Sequence, residues 1–122
     1  MTIIGIGIDV VDLARFARSL ERTPGLLDRV LTNDEQHNAA GGQLALESLA
    51  ARFAVKEAVA KVLGAPAGLN FHDVQVSNGG APTISLTDTV ARRAQELGIT
   101  NWHVSITHDG PVAIAYVIGE AR

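Results

Sequence analysis

The chain has 122 residues and a hydrophobic fraction of 47%, which predicts one domain over residues 1–122, with a modest core and some apolar surface left for a partner subunit. The formal net charge of −3 argues against a nucleic-acid-binding protein, which would usually be basic. The absence of cysteine excludes a disulfide framework, a thiolate metal site and a cysteine nucleophile.

Neither a secretory leader nor a membrane span is expected. The apolar run at the N-terminus has no basic leader and is interrupted by Gly5, Gly7 and Asp9. No other stretch is long enough and apolar enough to cross a bilayer. We therefore expect a cytoplasmic protein without a membrane partner.

The first predicted element is a strand over residues 2–11. Its side chains alternate between two faces, one of which carries Ile4, Ile6, Ile8 and Val10. On the other face, two glycines precede Asp9, so a ligand or a second backbone can come close to the strand there.

The remaining elements follow from periodicity, caps and chain breakers. The first half of the chain has a helix that Asp12 can cap and that ends at residues 23–25, a short helix over 26–31, a capping box at 32–35 and a long helix over about 43–63. The second half has strands over 71–76 and 82–86 joined by a turn at 77–80, a helix from Thr87 or Asp88 to Gly98, and strands over 102–108 and 112–118. Because strands and helices are segregated along the chain, the predicted fold class is α+β with a largely antiparallel sheet packed against helices.

The long helix poses a question, because its apolar residues surround it on every side and such a helix is normally buried. It nevertheless carries Arg52, Lys56, Glu57 and Lys61. Burying these charges without partners is costly, and a bound anion together with a metal ion would supply the partners. The alternative is an intrahelical salt bridge between Glu57 and Lys61, which stand four residues apart.

Asp9 and Glu57 together form a candidate metal site. Two carboxylates suit Mg²⁺, which takes one or two of them along with waters and substrate phosphate, and nearby lysines can neutralise the remaining phosphate charge. The alternative for Asp9 is a carboxylate at a strand end that only caps a helix. A dinucleotide-binding loop is excluded, because Val10 occupies the third glycine position of that motif.

The stretch HVSITHDG, residues 103–110, places His103, Ser105 and Thr107 on one face of a strand, where they can hydrogen-bond a ligand. An ordinary half-exposed strand is the alternative interpretation.

Three stretches, GIGIDVVDLARF, RFAVKEAVAKVLG and HVSITHDG, resemble in order and spacing the holo-[acyl-carrier-protein] synthase family, the small bacterial 4'-phosphopantetheinyl transferases. The resemblance spans Ile4 to Val117. It implies transfer of the phosphopantetheine arm of coenzyme A to a serine of apo acyl carrier protein, with adenosine 3',5'-bisphosphate as the second product. It also implies Mg²⁺ held by Asp9 and Glu57, and a homotrimer with active sites at subunit interfaces.

The resemblance further implies the roles of individual residues. Catalytic roles are expected for Glu57, Lys61, His108 and Asp109. The serine proton could pass to Glu57, to a metal-bound water, or to Asp109 with His108, and Glu57 acting directly or through water is preferred. Contacts to coenzyme A are expected from Arg52, Lys56, Lys61, Gly64, Pro82, His103, Thr107 and His108.

One position departs from the family pattern. Many members have a basic residue between a glycine and a proline after the first hairpin strand, whereas this chain has Ala81 between Gly80 and Pro82. A basic contact to the nucleotide end of coenzyme A is therefore either missing or supplied elsewhere.

Arg15, Arg18 and Arg22 share one face of the first predicted helix, because they are spaced i, i+3 and i+7. Carrier proteins are acidic, so we expect this face to bind the carrier protein, and an ordinary solvated helix face is the alternative.

Two rival functions remain. One is a metal-dependent phosphodiesterase or nuclease, and the other is a non-catalytic coenzyme A-binding module. In the usual nuclease pattern, however, a glutamate and a lysine stand two residues apart on a strand, whereas Glu57 and Lys61 stand four residues apart on a predicted helix.

Overall fold

A computed structural model describes residues 1–77 and 80–122. Its elements in chain order are β1 (Thr2–Asp12), α1 (Leu13–Arg22), α2 (Leu26–Val30), α3 (Asn33–Gln36), α4 (Leu46–Val62), a 3-10 turn (Phe71–Asp73), β2 (Val74–Val76), β3 (Ile84–Leu86), α5 (Asp88–Leu97), β4 (Asn101–Asp109) and β5 (Val112–Ala121). The predicted α+β class is confirmed. The predicted turn at residues 77–80 includes Asn78 and Gly79, which lie outside the described residues.

The strands form two antiparallel sheets. The larger has the order β1-β5-β4, and the smaller is the β2-β3 hairpin. In the larger sheet, Asp9 pairs with Ala115, which pairs with Ile106. Directly paired residues of antiparallel strands lie on the same face of a sheet, so these three residues belong to one face.

Helix α4 packs on that face of the large sheet. A Cβ atom added to Gly7 would stand 2.0 Å from the carbonyl oxygen of Ala58, and one added to Gly5 would stand 2.8 Å from that of Val62. The glycines therefore admit the backbone of α4, which confirms one of the two predicted uses of this face. On α4, Val55 and other apolar residues are fully buried in a single core cluster.

The opposite face of the large sheet is apolar and exposed. Ile6, Ile8 and Val10 of β1 are 53%, 49% and 57% exposed, and Tyr116 of β5 is 41% exposed. We call this surface, Ile6, Ile8, Val10 and Tyr116, the open sheet face. Contiguous apolar surface of this kind usually marks an interaction site.

Several element boundaries differ from the prediction, among them the start of α4 and the start of β2. Helix α4 begins at Leu46 rather than near residue 43, because Gln43 forms a β-bridge with His37 and the amide of Leu44 donates to the carbonyl of Gln36. Of the predicted strand at 71–76, only Val74–Val76 is extended. The side chain of Asn70 accepts a hydrogen bond from the amide of His72, which turns residues 71–73 into the 3-10 turn.

Among the described residues, no helix combines the length and the hydropathy needed to cross a membrane. The assignment of residues 1–122 to one domain stays a prediction, and the single core cluster agrees with it.

Candidate active site

The two predicted metal-binding carboxylates lie in one cavity. Asp9 comes from β1 and Glu57 from α4, and both line a cavity of about 200 Å³ at the side of α4 that faces α1. The ring of Phe16 stacks on that of Phe53 with centroids 5.5 Å apart, which packs α1 against α4 and gives this cavity an apolar wall. We call it the carboxylate cavity. Its lining is Asp9, Val10, Val11, Asp12, Arg15, Phe16, Ser19, Phe53 and Glu57.

Lys61 joins the carboxylates from the next turn of α4. Its Nζ atom lies 3.2 Å from Oδ1 of Asp9 and donates to the carbonyl oxygen of Ile8 at 2.7 Å. The alternative salt bridge between Glu57 and Lys61 is not among the ion pairs of residues 1–77 and 80–122. The Lys61 side chain is 51% exposed, so its ammonium group remains accessible to a ligand.

The charges in the carboxylate cavity favour a bound cation. Burial raises the pKa of Glu57, the negative charge of Asp9 raises it further, and the positive charge of Lys61 opposes the shift. A divalent cation between the two carboxylates would relieve this repulsion, so the residues present fit a metal ion. No group of three or more histidine, cysteine or acidic side chains placed to hold a metal occurs in the described part of the chain. The remaining ligands would then be water and substrate oxygens.

Asp12, and not Asp9, is the carboxylate that caps α1. Its Oδ1 atom accepts a hydrogen bond from the amide of Arg15 at 2.8 Å. The capping role that was the alternative for Asp9 is therefore filled by Asp12, and the Asp9 carboxylate lines the cavity instead.

Three of the expected coenzyme A contacts line a second cavity of about 260 Å³. Arg52, Pro82 and His108 meet there, and Nη1 of Arg52 donates to the carbonyl oxygen of Val76 at 2.7 Å. We call this the arginine cavity. Its lining is Ser48, Ala51, Arg52, Val76, Ser77, Gly80, Pro82, Ile106 and His108.

The expectation that Lys56 contacts coenzyme A is corrected by the structure. Its side chain is fully buried, and its Nζ atom donates to Oε1 of Glu35 at 2.6 Å and to the carbonyl oxygen of Phe71 at 2.8 Å. A protein carboxylate, rather than a bound anion, is therefore the partner of this charge. The helix can carry a buried lysine because the fold supplies its counter-charge.

His103 and Thr107 lie on the opposite face of the large sheet from α4. They pair with Ile118 and Ile114 of β5, which continue the face that carries Ile6. Nε2 of His103 lies 3.0 Å from Oε1 of Glu120.

Glu120 is held by its neighbours on the same sheet. Its Oε1 atom accepts from Nδ2 of Asn101 at 2.6 Å. The hydrogen bonds from Asn101 and His103 lower the pKa of Glu120.

The predicted catalytic residues do not all meet within one chain. Glu57 lines the carboxylate cavity, whereas His108 lines the arginine cavity and Asp109 is the exposed last residue of β4. Gly64 ends the turn after α4 with a φ of 80°, and its amide donates to the carbonyl oxygen of Lys61. The positive φ accounts for a glycine there.

The three arginines of α1 are exposed, whereas Phe16 of the same helix is buried. Arg15 lines the carboxylate cavity, and Arg18 and Arg22 continue along α1 away from it. The predicted basic face therefore begins at the candidate metal site.

Sequence reasoning missed Glu35, which it treated only as the last residue of a capping box. That capping box is confirmed, but the same carboxylate is also the buried partner of Lys56. The signal that could have found it is the lysine itself, because a charge on a buried helix requires a counter-charge elsewhere in the fold.

Comparison with known proteins decides the family. The model of the 4'-phosphopantetheinyl transferase superfamily matches residues 5–117. A holo-[acyl-carrier-protein] synthase of Frankia alni is 53% identical over 123 residues, which cover 99% of this chain and 100% of that protein. The chain belongs to the holo-[acyl-carrier-protein] synthase family of phosphopantetheinyl transferases. The predicted resemblance to this family is thus confirmed.

Solved synthase structures share the fold. The Chronobacterium ammoniagenes synthase, in complex with coenzyme A, is 28% identical with a TM-score of 0.82, and the match covers 97% of each chain. The Helicobacter pylori synthase, also with coenzyme A, is 32% identical with a TM-score of 0.78, and the match covers 94% of this chain and 99% of that one. The α+β architecture described above is therefore that of a holo-[acyl-carrier-protein] synthase.

Proposed function

We propose that this protein transfers the 4'-phosphopantetheine group of coenzyme A to a serine of apo acyl carrier protein and releases adenosine 3',5'-bisphosphate. The observation that carries the proposal is the convergence of Asp9 and Glu57 at one cavity, with Lys61 paired to Asp9 beside it. An alcohol that attacks a diphosphate needs charge neutralised on the phosphates and the reacting atoms held in line. Two carboxylates and an accessible ammonium group supply the fixed charges for this reaction.

Asp9 and Glu57 would hold Mg²⁺ in the carboxylate cavity. When bound, the ion polarises the phosphate oxygens of coenzyme A. Lys61 provides a positive charge beside the same oxygens, where it stabilises the charge that develops as the bond to the leaving group breaks. No covalent intermediate on the protein is required.

Glu57 is the proposed base for the serine hydroxyl. Its carboxylate lines the same cavity that would hold the metal ion and the phosphates, so it can accept the proton directly or through a water molecule. His108 and Asp109 are less suited to this role within one chain, because His108 lines a different cavity and Asp109 lies at the exposed end of β4.

We infer that each active site is completed by a neighbouring subunit. Arg52 and Glu57 lie on different sides of α4 and line different cavities, although one coenzyme A molecule has to reach both the arginine and the metal. His103 and Thr107 belong to a third surface, the face that also carries Ile8. A homotrimer that covers the open sheet face would bring these surfaces together across its interfaces.

The basic face of α1 is the proposed binding surface for the carrier protein. Arg15, Arg18 and Arg22 extend from the rim of the carboxylate cavity, so an acidic partner bound there would present its serine close to the metal. Complementary charge of this kind mainly increases the rate of association and fixes orientation.

The rival functions are less well supported. A nuclease with a net charge of −3 would repel its own substrate, and a non-catalytic coenzyme A-binding module has no need of two carboxylates in one cavity. A cytoplasmic location remains a prediction of the proposed function.

Intact-mass spectrometry of apo acyl carrier protein, incubated with coenzyme A, Mg²⁺ and this protein, tests the proposal. The expected result is a mass increase of one phosphopantetheine group. Glu57→Gln should reduce the rate by at least about a hundredfold, because it removes a metal ligand and the proposed base. Glu47→Gln, at an exposed position of the first turn of α4, is the matched control and should retain the rate. Full activity of Glu57→Gln would rule out both roles of Glu57.

A further inference from the structure

A buried ion pair lies beside the arginine cavity and takes no part in the proposed chemistry. Glu35 and Lys56 are both fully buried, with 2.6 Å between Oε1 and Nζ. Removing two charges from water costs about as much as their attraction returns, so such a pair is often no more stabilising than apolar residues of similar volume. Stability alone is therefore a weak reason for this pair, and its other contacts are informative.

The carboxylate of Glu35 connects three segments of the chain. Besides Lys56 of α4, it accepts from the amide of Thr32 at 2.8 Å, which closes the capping box of α3. Its second oxygen accepts from the amide of Val76 at 2.7 Å. Lys56 extends the network to the carbonyl oxygen of Phe71, just before β2. The network thus fixes the short β2 strand against α3 and α4.

Both backbone polar groups of Val76 form hydrogen bonds with side chains. Glu35 binds its amide, and Nη1 of Arg52 binds its carbonyl oxygen at 2.7 Å. Arg52 stands one turn before Lys56 on α4. Burial lowers the pKa of Arg52, and the negative charge of Glu35 opposes that shift, so the two groups interact electrostatically as well. Val76 and Arg52 both line the arginine cavity, whose wall therefore depends on this network.

Arg52 retains donors for a ligand. A guanidinium group has five N–H donors. Within residues 1–77 and 80–122, the Arg52 side chain makes one hydrogen bond, to the carbonyl oxygen of Val76. A guanidinium held in one orientation suits phosphate, which it can bind through two parallel hydrogen bonds.

We propose that Glu35 is a positioning residue for coenzyme A: with Lys56 it holds the edge of β2 and the guanidinium group of Arg52, so that the remaining donors of Arg52 face a phosphate group of coenzyme A in the arginine cavity. This inference rests on the proposed function, because it assigns that cavity to coenzyme A. Glu35 acts through Arg52 and does not itself contact the ligand.

The double variant Glu35→Gln/Lys56→Met separates positioning from stability. It replaces the ion pair by neutral side chains of similar size, and glutamine keeps one acceptor oxygen for the capping box but none for the amide of Val76. The amide of Val76 and the carbonyl oxygen of Phe71 lose their partners, so we expect a lower unfolding midpoint in a variant that is still folded at room temperature. Its affinity for coenzyme A, measured by calorimetry, should be about tenfold weaker, whereas kcat at saturating coenzyme A should change by less than about threefold.

Asp73→Asn is the matched control. Asp73 is a second buried carboxylate, and it accepts from the amide and the hydroxyl of Thr89 at 3.0 and 2.6 Å, away from the arginine cavity. We expect this variant to lose stability but to keep the wild-type affinity for coenzyme A. Glu35→Gln alone should lose both stability and affinity, because Lys56 then lacks its counter-charge.

A folded double variant with wild-type affinity for coenzyme A would overturn the inference. Amide hydrogen exchange of the wild type gives a test that does not depend on how the variants fold. Without coenzyme A, the amide of Val76 should exchange as slowly as the core amides of α4, and exchange as fast as that of an exposed loop would also overturn the inference. If wild type binds no coenzyme A and leaves the carrier protein unmodified, the proposed function itself has failed.

Discussion

Gly7 of β1 lies directly against Ala58 of α4, at a distance that leaves no room for a side chain: an added Cβ would stand 2.0 Å from the Ala58 carbonyl oxygen. Asp9 follows on the same face of β1, and Glu57 precedes Ala58 on α4. The close approach at the glycine is therefore what brings the two carboxylates to one cavity.

Replacing Gly7 by alanine should damage both the fold and the site. Because the obstructing atom belongs to the backbone of α4, the helix would have to move away from β1, and we expect the free energy of unfolding to fall by about 2–3 kcal/mol. Transfer activity should fall even at temperatures where the variant is folded, because Asp9 and Glu57 would separate.

Gly42→Ala is the control for this substitution. A Cβ at Gly42 would meet only the side chain of Asn38, at 3.3 Å, and that side chain can move. Its effect should stay near 0.5 kcal/mol, about the usual size for an exposed position. Chemical denaturation of both variants checks the comparison, and equal stability losses would contradict the proposed contact.

The stability of the metal-free protein should depend on pH through Glu57. Its pKa is raised by burial and by the charge of Asp9, so the folded chain binds this proton more tightly than the unfolded chain. The stability contributed by the protonated form is therefore present below the ordinary carboxyl value of 4.5 and is lost as pH rises through the folded pKa.

Glu57→Gln cannot titrate and should escape this loss. In buffer with a chelator, the variant should gain stability relative to wild type as pH rises from about 4 to neutral, and then level off. The exposed Glu47→Gln should show no such trend. Adding Mg²⁺ should reduce the difference, because binding stabilises the wild type alone. A difference that does not change with pH would speak against the raised pKa.

Reversing the charge on α1 should affect one substrate and not the other. Arg18→Glu/Arg22→Glu changes the basic face outside the carboxylate cavity, so it leaves Arg15 and the metal site in place. We expect KM for the carrier protein to rise about tenfold, with KM for coenzyme A within about twofold.

Arg92→Glu/Arg122→Glu carries the same change in net charge at exposed positions away from α1. Steady-state kinetics with each substrate varied in turn should show no rise in KM for the carrier protein with this control pair. Equal increases for both substrates in the α1 variant would contradict a carrier-binding role for this face.

The open sheet face should control oligomeric state. Ile8 is 49% exposed in the single chain, and Ile8→Lys places a charge in the middle of the face that we assign to the subunit interface. Light scattering coupled to size exclusion should show a trimer for wild type and for Ser85→Lys, an exposed position on β3, and a smaller species with lower activity for Ile8→Lys. A wild-type protein that is active as a monomer would refute the interfacial site.

The candidate metal site could be predicted from the sequence because its geometry is encoded locally. The period-two alternation of β1 puts Asp9 on the glycine face, and only a face without side chains admits a helix backbone so closely. On α4, Glu57 stands among the small residues Ala54, Ala58 and Ala60, which leave room beside it. The resemblance to a known family then joined the two segments.

The role of Lys56 could not be predicted in this way, because its partner is 21 residues away in the chain and belongs to another element. Such a pairing depends on how α3 packs against α4, which neither helix periodicity nor capping rules specify. The division of the site into two cavities was equally hidden. It depends on which sides of α4 Arg52 and Glu57 occupy in the folded chain.

Manganese binding tests the central claim most directly, because Mn²⁺ substitutes for Mg²⁺ and can be counted by electron paramagnetic resonance. In the presence of coenzyme A, wild type should bind one ion per subunit. Asp9→Asn and Glu57→Gln should each weaken that binding by at least about tenfold, whereas Glu47→Gln should not. Wild-type affinity in both Asp9→Asn and Glu57→Gln would contradict the claim that these two carboxylates share one metal ion.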